Sequence, residues 1–110
     1  MGSANTVVNE TSEYQKILDD HPLVIVLFTS EYCQACMGVG PRFNRIADKY
    51  APRVKSLILD TAKTQRIPGV DGTPTLVVYK DGLEVENLKG IGEPAEQEEL
   101  LDEVFKDYAP

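Results

Sequence analysis

Cys33 and Cys36 are the only two thiols in a chain of 110 residues. Gln34 and Ala35 separate them, and an unbroken apolar run, Leu23-Val24-Ile25-Val26-Leu27-Phe28, precedes them. A thiol just past a buried strand, at the start of a predicted helix, is exposed and faces backbone N–H groups that lack partners and favour negative charge. That setting suits a cysteine of lowered pKa reacting as thiolate. A structural staple is a poorer explanation, because so small a loop gains least from closure. Cys-x-x-Cys also serves zinc sites. Two thiols without a nearby histidine fill only half of a four-ligand site, so a zinc ion or iron–sulfur cluster would need a second chain.

The elements that must hold this pair can be read from periodicity. Val7-Val8 reads as a short edge strand. Thr11-Ser12-Glu13 reads as a helix start, with Gln15 in capping-box position after Ser12. Tyr14, Ile17 and Leu18 recur at helical spacing, and His21-Pro22 ends that helix. Leu23 to Phe28 reads as a central strand buried on both faces. Beyond the cysteines a helix carries Phe43, Ile46, Ala47 and Tyr50 on one face. Pro41 should kink it, and Gly38 and Gly40 weaken the same turn. Val54 to Leu59 is a second strand and Thr61 to Ile67 a poor, short helix. Pro68 to Pro74 is loop. Thr75 to Tyr79 and Leu83 to Leu88 form a hairpin around Lys80-Asp81-Gly82. A last helix buries Leu100, Leu101, Val104 and Phe105. The order is β-α-β-α-β-(α)-β-β-α, parallel early and antiparallel late.

Composition bounds the rest. Apolar residues make up 42% and charged residues 26%, as in an ordinary globular protein, and the length suits one domain over residues 1–110. Residues 1–4 read as a cloning remnant or a disordered tail. The net charge is −7 with no basic cluster, which argues against nucleic acid and anionic membrane surfaces as partners. No apolar run approaches the ~20 residues of a membrane span, and no signal peptide is visible. The expected location is the cytoplasm, with the periplasm as alternative had a leader been removed upstream.

With these elements placed, the chain resembles the thioredoxin family over nearly its whole length. Cys-x-x-Cys follows an apolar strand, and Pro41 lies where the family kinks its active-site helix. Ile46-Ala47-Asp48-Lys49-Tyr50 matches the family's text at that helix's end. Gly72-Thr73-Pro74-Thr75 matches its cis-proline loop, Lys80-Asp81-Gly82 its hairpin turn, and Gly90 and Gly92 fall near the glycine it uses beside substrate. The departures are specific. Tyr32 stands for the usual tryptophan, Gln34-Ala35 for Gly-Pro, Leu27 for the buried acid, Ser56 for that acid's basic partner, and Thr73 for isoleucine.

The resemblance implies an α/β thioredoxin fold: a mixed sheet of four to five strands with helices on both faces. It implies a thiol–disulfide oxidoreductase that reduces protein disulfides, needs no cofactor beyond its own redox-active disulfide, and works as a monomer recharged by a thioredoxin-reductase-like donor. Cys33 would be the attacking and Cys36 the resolving sulfur. Pro74 would be cis and lay the Thr73 backbone beside Cys33 for pairing with an extended substrate. The Thr73 hydroxyl would sit near the sulfurs. Tyr32, Gln34, Ala35 and Gly90 would contact substrate. Glu31 and Asp71 read as solvated acids and His21 as structural. Thr73 leaves oxidase or isomerase direction open. A metal-bridged binding module and a redox-inactive interaction module are the readings from other classes.

Overall fold

The computed structural model describes residues 11–30, 33–51, 53–61 and 69–109. The expected Val7-Val8 strand and nearly all of the short helix expected at Thr61 to Ile67 lie outside them. The elements in order are α1 (Thr11–Asp20), β1 (Leu23–Thr29), a 3-10 turn (Gln34–Cys36), α2 (Val39–Lys49), β2 (Lys55–Asp60), β3 (Thr75–Lys80), β4 (Leu83–Lys89) and α3 (Pro94–Tyr108). The expected order therefore holds wherever residues are described. In α1 the Gln15 side-chain amide donates to Asp19 Oδ1 at 3.0 Å, one turn further into the helix, and the Ser12 side chain of the expected capping box lies outside the described residues.

The described strands form one mixed sheet in the order β2-β1-β3-β4. β1 pairs with β2 in parallel and with β3 antiparallel, and β3 pairs antiparallel with β4. β1 is central, which is why Leu23 to Phe28 is apolar at every position: both of its faces are covered. Alternate residues point to opposite sides. Leu23, Ile25 and Leu27 join the cluster under α2 and α3, and Val24, Val26 and Phe28 the cluster under α1. Helices thus lie on both faces of the sheet, as expected.

The β3–β4 turn has a plain sequence cause. Lys80 and Leu83 are paired, which leaves a two-residue loop, and Asp81 and Gly82 both take positive φ, 52° and 83°. That is the backbone for which Asp-Gly is favoured, because it matches strand twist. α2 and α3 are held together by Phe43 edge-on to Phe105 at 5.5 Å and Tyr50 stacked on Phe105 at 5.6 Å. On their exposed side Arg45 donates through two nitrogens to the carboxylate of Glu98.

Candidate active site

Three chain crossings meet at one end of the sheet. β1 ends at Thr29 and leads into the cysteines; β3 begins at Thr75, opposite Phe28; β4 ends at Lys89, opposite Thr75. The connections at that end therefore lie together: Ser30 with Cys33 to Gly38, Gly69 to Pro74, and Gly90 to Glu93. The cysteines are joined as a disulfide with their Cα atoms 5.2 Å apart. Both are half-buried, so neither stands out as the more exposed.

The helix expected to open at the cysteines does not. Cys33 is in extended backbone (φ −97°, ψ 110°) and caps only the three-residue turn Gln34–Cys36. Cys36 N–H donates to Cys33 O at 3.1 Å and Met37 N–H to Gln34 O at 3.2 Å, and the chain then breaks. Gly38 adopts φ 74°, a left-handed conformation that glycine tolerates without strain. α2 begins only at Val39. Its summed amide dipole therefore acts at Gly38 and Val39, not at Cys33. Pro41 is no kink either. It is the third residue of α2, where its missing N–H would have had no partner inside the helix. The interruption belongs to Gly38.

Thr73 meets the disulfide through its backbone. The Thr73–Pro74 peptide bond is cis, and the Thr73 carbonyl oxygen lies 3.4 Å from Cys33 Sγ. In the disulfide this is a contact; in the dithiol the Cys33 S–H would have an acceptor there. The expected placement of the Thr73 backbone beside Cys33 is thus met through its carbonyl. Thr75 Oγ1 closes the loop on Gly72 O at 2.8 Å. Gly90 N–H donates to Pro74 O at 2.8 Å, which joins the third connection to the second.

Of the other expected site residues, Gln34 is exposed on the turn, the Ala35 backbone lies within it, and Tyr32 and Glu31 fall outside the described residues. Asp71 does not face the sulfurs as a free acid; Lys89 pairs with it at 3.4 Å on the surface. His21 lies at the far end of β1, lining a shallow cavity with Pro22, Leu23 and Val54.

Beneath the disulfide the core is apolar. Cys36 packs against the cluster that contains Leu27. Register places Leu27 between Ile58 and Leu76, with Leu88 beyond, and Leu27 is fully buried. This row offers no proton acceptor. One pair of strand positions away on the same face, Ser56 is buried and its Oγ has no hydrogen-bond partner. Among the described residues no group of three or more His, Cys, Asp or Glu side chains is placed to hold a metal ion.

Two residues at this end escaped the sequence reading. Arg42 Nη1 donates to Met37 O at 3.2 Å and to Gln97 Oε1 at 3.1 Å. Gln97, 1% exposed, donates from Nε2 to Gly92 O at 3.2 Å. Gln97 sits in a strongly acidic stretch that looks solvated, yet it falls four and seven residues before Leu101 and Val104. That spacing puts it on the buried side of α3 and was the available signal. Met37, beside the turn, is 74% exposed.

The thioredoxin family model matches residues 5–105. Thioredoxin H-type 1 of Nicotiana tabacum is 35% identical over 107 residues, covering 94% of this chain and 81% of its own length. The H-type thioredoxin of Chlamydomonas reinhardtii is 29% identical over 97 residues, or 82% of this chain and 86% of that one. Among solved structures, thioredoxin from Malassezia sympodialis has a TM-score of 0.83 at 20% identity, covering 100% of this chain and 94% of that chain.

Proposed function

Given that this chain belongs to the thioredoxin family and is a thiol–disulfide oxidoreductase with its own internal disulfide, we propose that it reduces protein disulfides through Cys33 and Cys36. The observation that carries this reading is the pairing of the disulfide with the Thr73 carbonyl 3.4 Å from Cys33 Sγ at the open end of the sheet. A sulfur there is within reach of a partner chain, and a backbone edge beside it suits an extended segment.

The reaction starts from the dithiol. Cys33, as thiolate, attacks one sulfur of the client disulfide; a Cys33–client bond forms, the client S–S bond breaks, and one client thiolate leaves and takes up a proton. Cys36 then gives up its proton and attacks Cys33 Sγ. The Cys33–Cys36 bond forms, and the second client sulfur leaves as a thiol. Two electrons have moved from this chain to the client. A dithiol-delivering reductase of the thioredoxin-reductase class returns them.

The chain-specific feature lies in the second step. The Leu27 row supplies no base for the Cys36 proton, so water takes it and passes it to the departing client sulfur. Gln34, Ala35, Tyr32 and Gly90 border the sulfurs in the chain or the fold and are assigned to client contact. The protein is assigned to the cytoplasm, as a monomer without cofactor.

The test is reduction of insulin with dithiothreitol as electron source. The wild type should accelerate precipitation. Cys33→Ser should abolish the acceleration. Cys36→Ser should attack once and accumulate a mixed disulfide visible by mass. A wild type without acceleration, or a Cys33→Ser variant that keeps it, overturns the reading. The midpoint potential of the pair separates a reductase from an oxidase or isomerase.

A further inference from the structure

We propose that Arg42 and Gln97 are positioning residues that close a ring of contacts around the disulfide and set how well the site docks a protein client. The inference rests on the reading that Cys33–Cys36 is the reactive pair.

The ring can be traced link by link. From Cys36 the chain passes to Met37, whose carbonyl accepts from Arg42 Nη1 at 3.2 Å. The same Nη1, which carries two protons, donates to Gln97 Oε1 at 3.1 Å. Gln97 Nε2 donates to Gly92 O at 3.2 Å. Two residues back along the chain, Gly90 N–H donates to Pro74 O at 2.8 Å. The Thr73 carbonyl then touches Cys33 Sγ at 3.4 Å, and the disulfide closes the circuit. Every connection at this end of the sheet is thereby tied to the cysteine turn.

Chemistry leaves one orientation for the Gln97 amide. Flipped, it would set a donor against Arg42 and an acceptor against Gly92 O. Its position also argues for a task beyond filling space. A glutamine 1% exposed on the inner side of α3 carries a desolvation cost that a leucine there would not. Gly38 fits the same device. Its φ of 74° breaks the chain, and a Cβ there would come within 3.0 Å of Arg42 Nη1, so the absent side chain makes room for the guanidinium. Without Arg42 and Gln97 the cysteine turn and the Gly90–Gly92 connection lose the side-chain hydrogen bonds that join them, and only the apolar cluster shared by Cys36 and Ile91 remains. The two walls between which a client chain must lie would then drift apart. Docking geometry sets the rate of bimolecular exchange, so the loss should fall on client binding and spare the intrinsic reactivity of the sulfurs.

The test variant is Arg42→Met/Gln97→Leu. Removing both partners leaves no orphaned buried group between them, so the fold should survive. For insulin, KM should rise roughly fivefold with kcat little changed. For a small aromatic disulfide, which needs no groove, the rate should match the wild type. Hydrogen exchange at the Gly90 amide should quicken on the order of tenfold, a readout independent of activity. A folded double variant with wild-type KM for insulin and wild-type Gly90 exchange overturns the proposal. If the double variant does not fold, Arg42→Lys, which keeps the charge but not the forked geometry, is held to the same two readouts. If the wild type reduces nothing, the functional reading fails, and the exchange measurement alone decides the ring.

Discussion

On the α1 side of the sheet, Val24, Val26 and Phe28 pack with Leu57, Leu59, Val77, Tyr14 and Tyr79. Two buried hydroxyls of that side meet, Tyr14 donating to Tyr79 at 2.8 Å with the rings edge-on at 5.8 Å, while the buried Thr75 hydroxyl donates to Gly72 O in the loop before Pro74. On the α2 and α3 side the cluster is larger and takes in Cys36 at its rim. There the buried polar groups behave differently. Gln97 reaches outward to two other segments, and Ser56 Oγ reaches nothing. The two halves share β1, so the difference is not one of strand or sequence context. In the α1 half the tyrosine pair stays internal and serves stability, and only Thr75, at the strand end, reaches a loop. The other half extends Gln97 to Arg42 and to Gly92 O, and it leaves the Ser56 hydroxyl without a partner.

That contrast can be broken most forcefully at Leu27. Leu27→Asp would bury a lone carboxylate against Ile58 and Leu76, and stability to urea should fall by about 3 kcal/mol. In the fraction that folds, breakdown of a trapped mixed disulfide should speed up several-fold, because Cys36 gains a proton acceptor. An unchanged breakdown rate would sink the claim that this apolar row limits the second step.

The α1 half is tested through its tyrosines. Tyr14→Phe should cost about 1 kcal/mol, and Tyr14→Phe/Tyr79→Phe less than the sum of the two single changes. The pair also predicts an alkaline limit. Burial, and for Tyr14 the hydrogen bond it donates to Tyr79, raise the Tyr14 pKa above the ordinary tyrosine value. Burial also raises Tyr79, against the hydrogen bond it accepts. The folded chain therefore holds both protons after the unfolded chain begins to lose them near pH ~10. The contribution is complete below that pH and declines as pH rises through it. Melting temperature between pH 9 and 11 should fall more steeply in the wild type than in the doubly substituted protein.

The smallest effect has the opposite sign. Ser56→Ala removes a buried hydroxyl that has no partner and should stabilise by ~1 kcal/mol or less, read from the urea midpoint. Destabilisation would mean that Ser56 Oγ is satisfied in solution and that the contrast between the halves is overdrawn.

Most of the scaffold was legible because its signals are local. A β-branched apolar run, an Asp-Gly pair and an i, i+4 stripe each demand one backbone conformation, and β1, the β3–β4 turn and α3 follow. The interruption after Cys36 was only half legible. Gly38 and Pro41 both argue against helix, and nothing local says which of them sets the boundary. The left-handed backbone at Gly38, φ 74°, decides it. The Arg42–Gln97 tie was harder still, because its members lie 55 positions apart and each alone looks like a solvated surface residue. The Thr73 backbone beside Cys33 follows from the Thr-Pro loop, and the structure places its carbonyl there.

The aliphatic wall behind Cys36 bears on how this protein would behave in a crude extract. Slow release would leave clients covalently attached long enough to survive acid quenching and purification. The unaltered chain would then be its own fishing line, and the proteins it carries would disclose what it repairs.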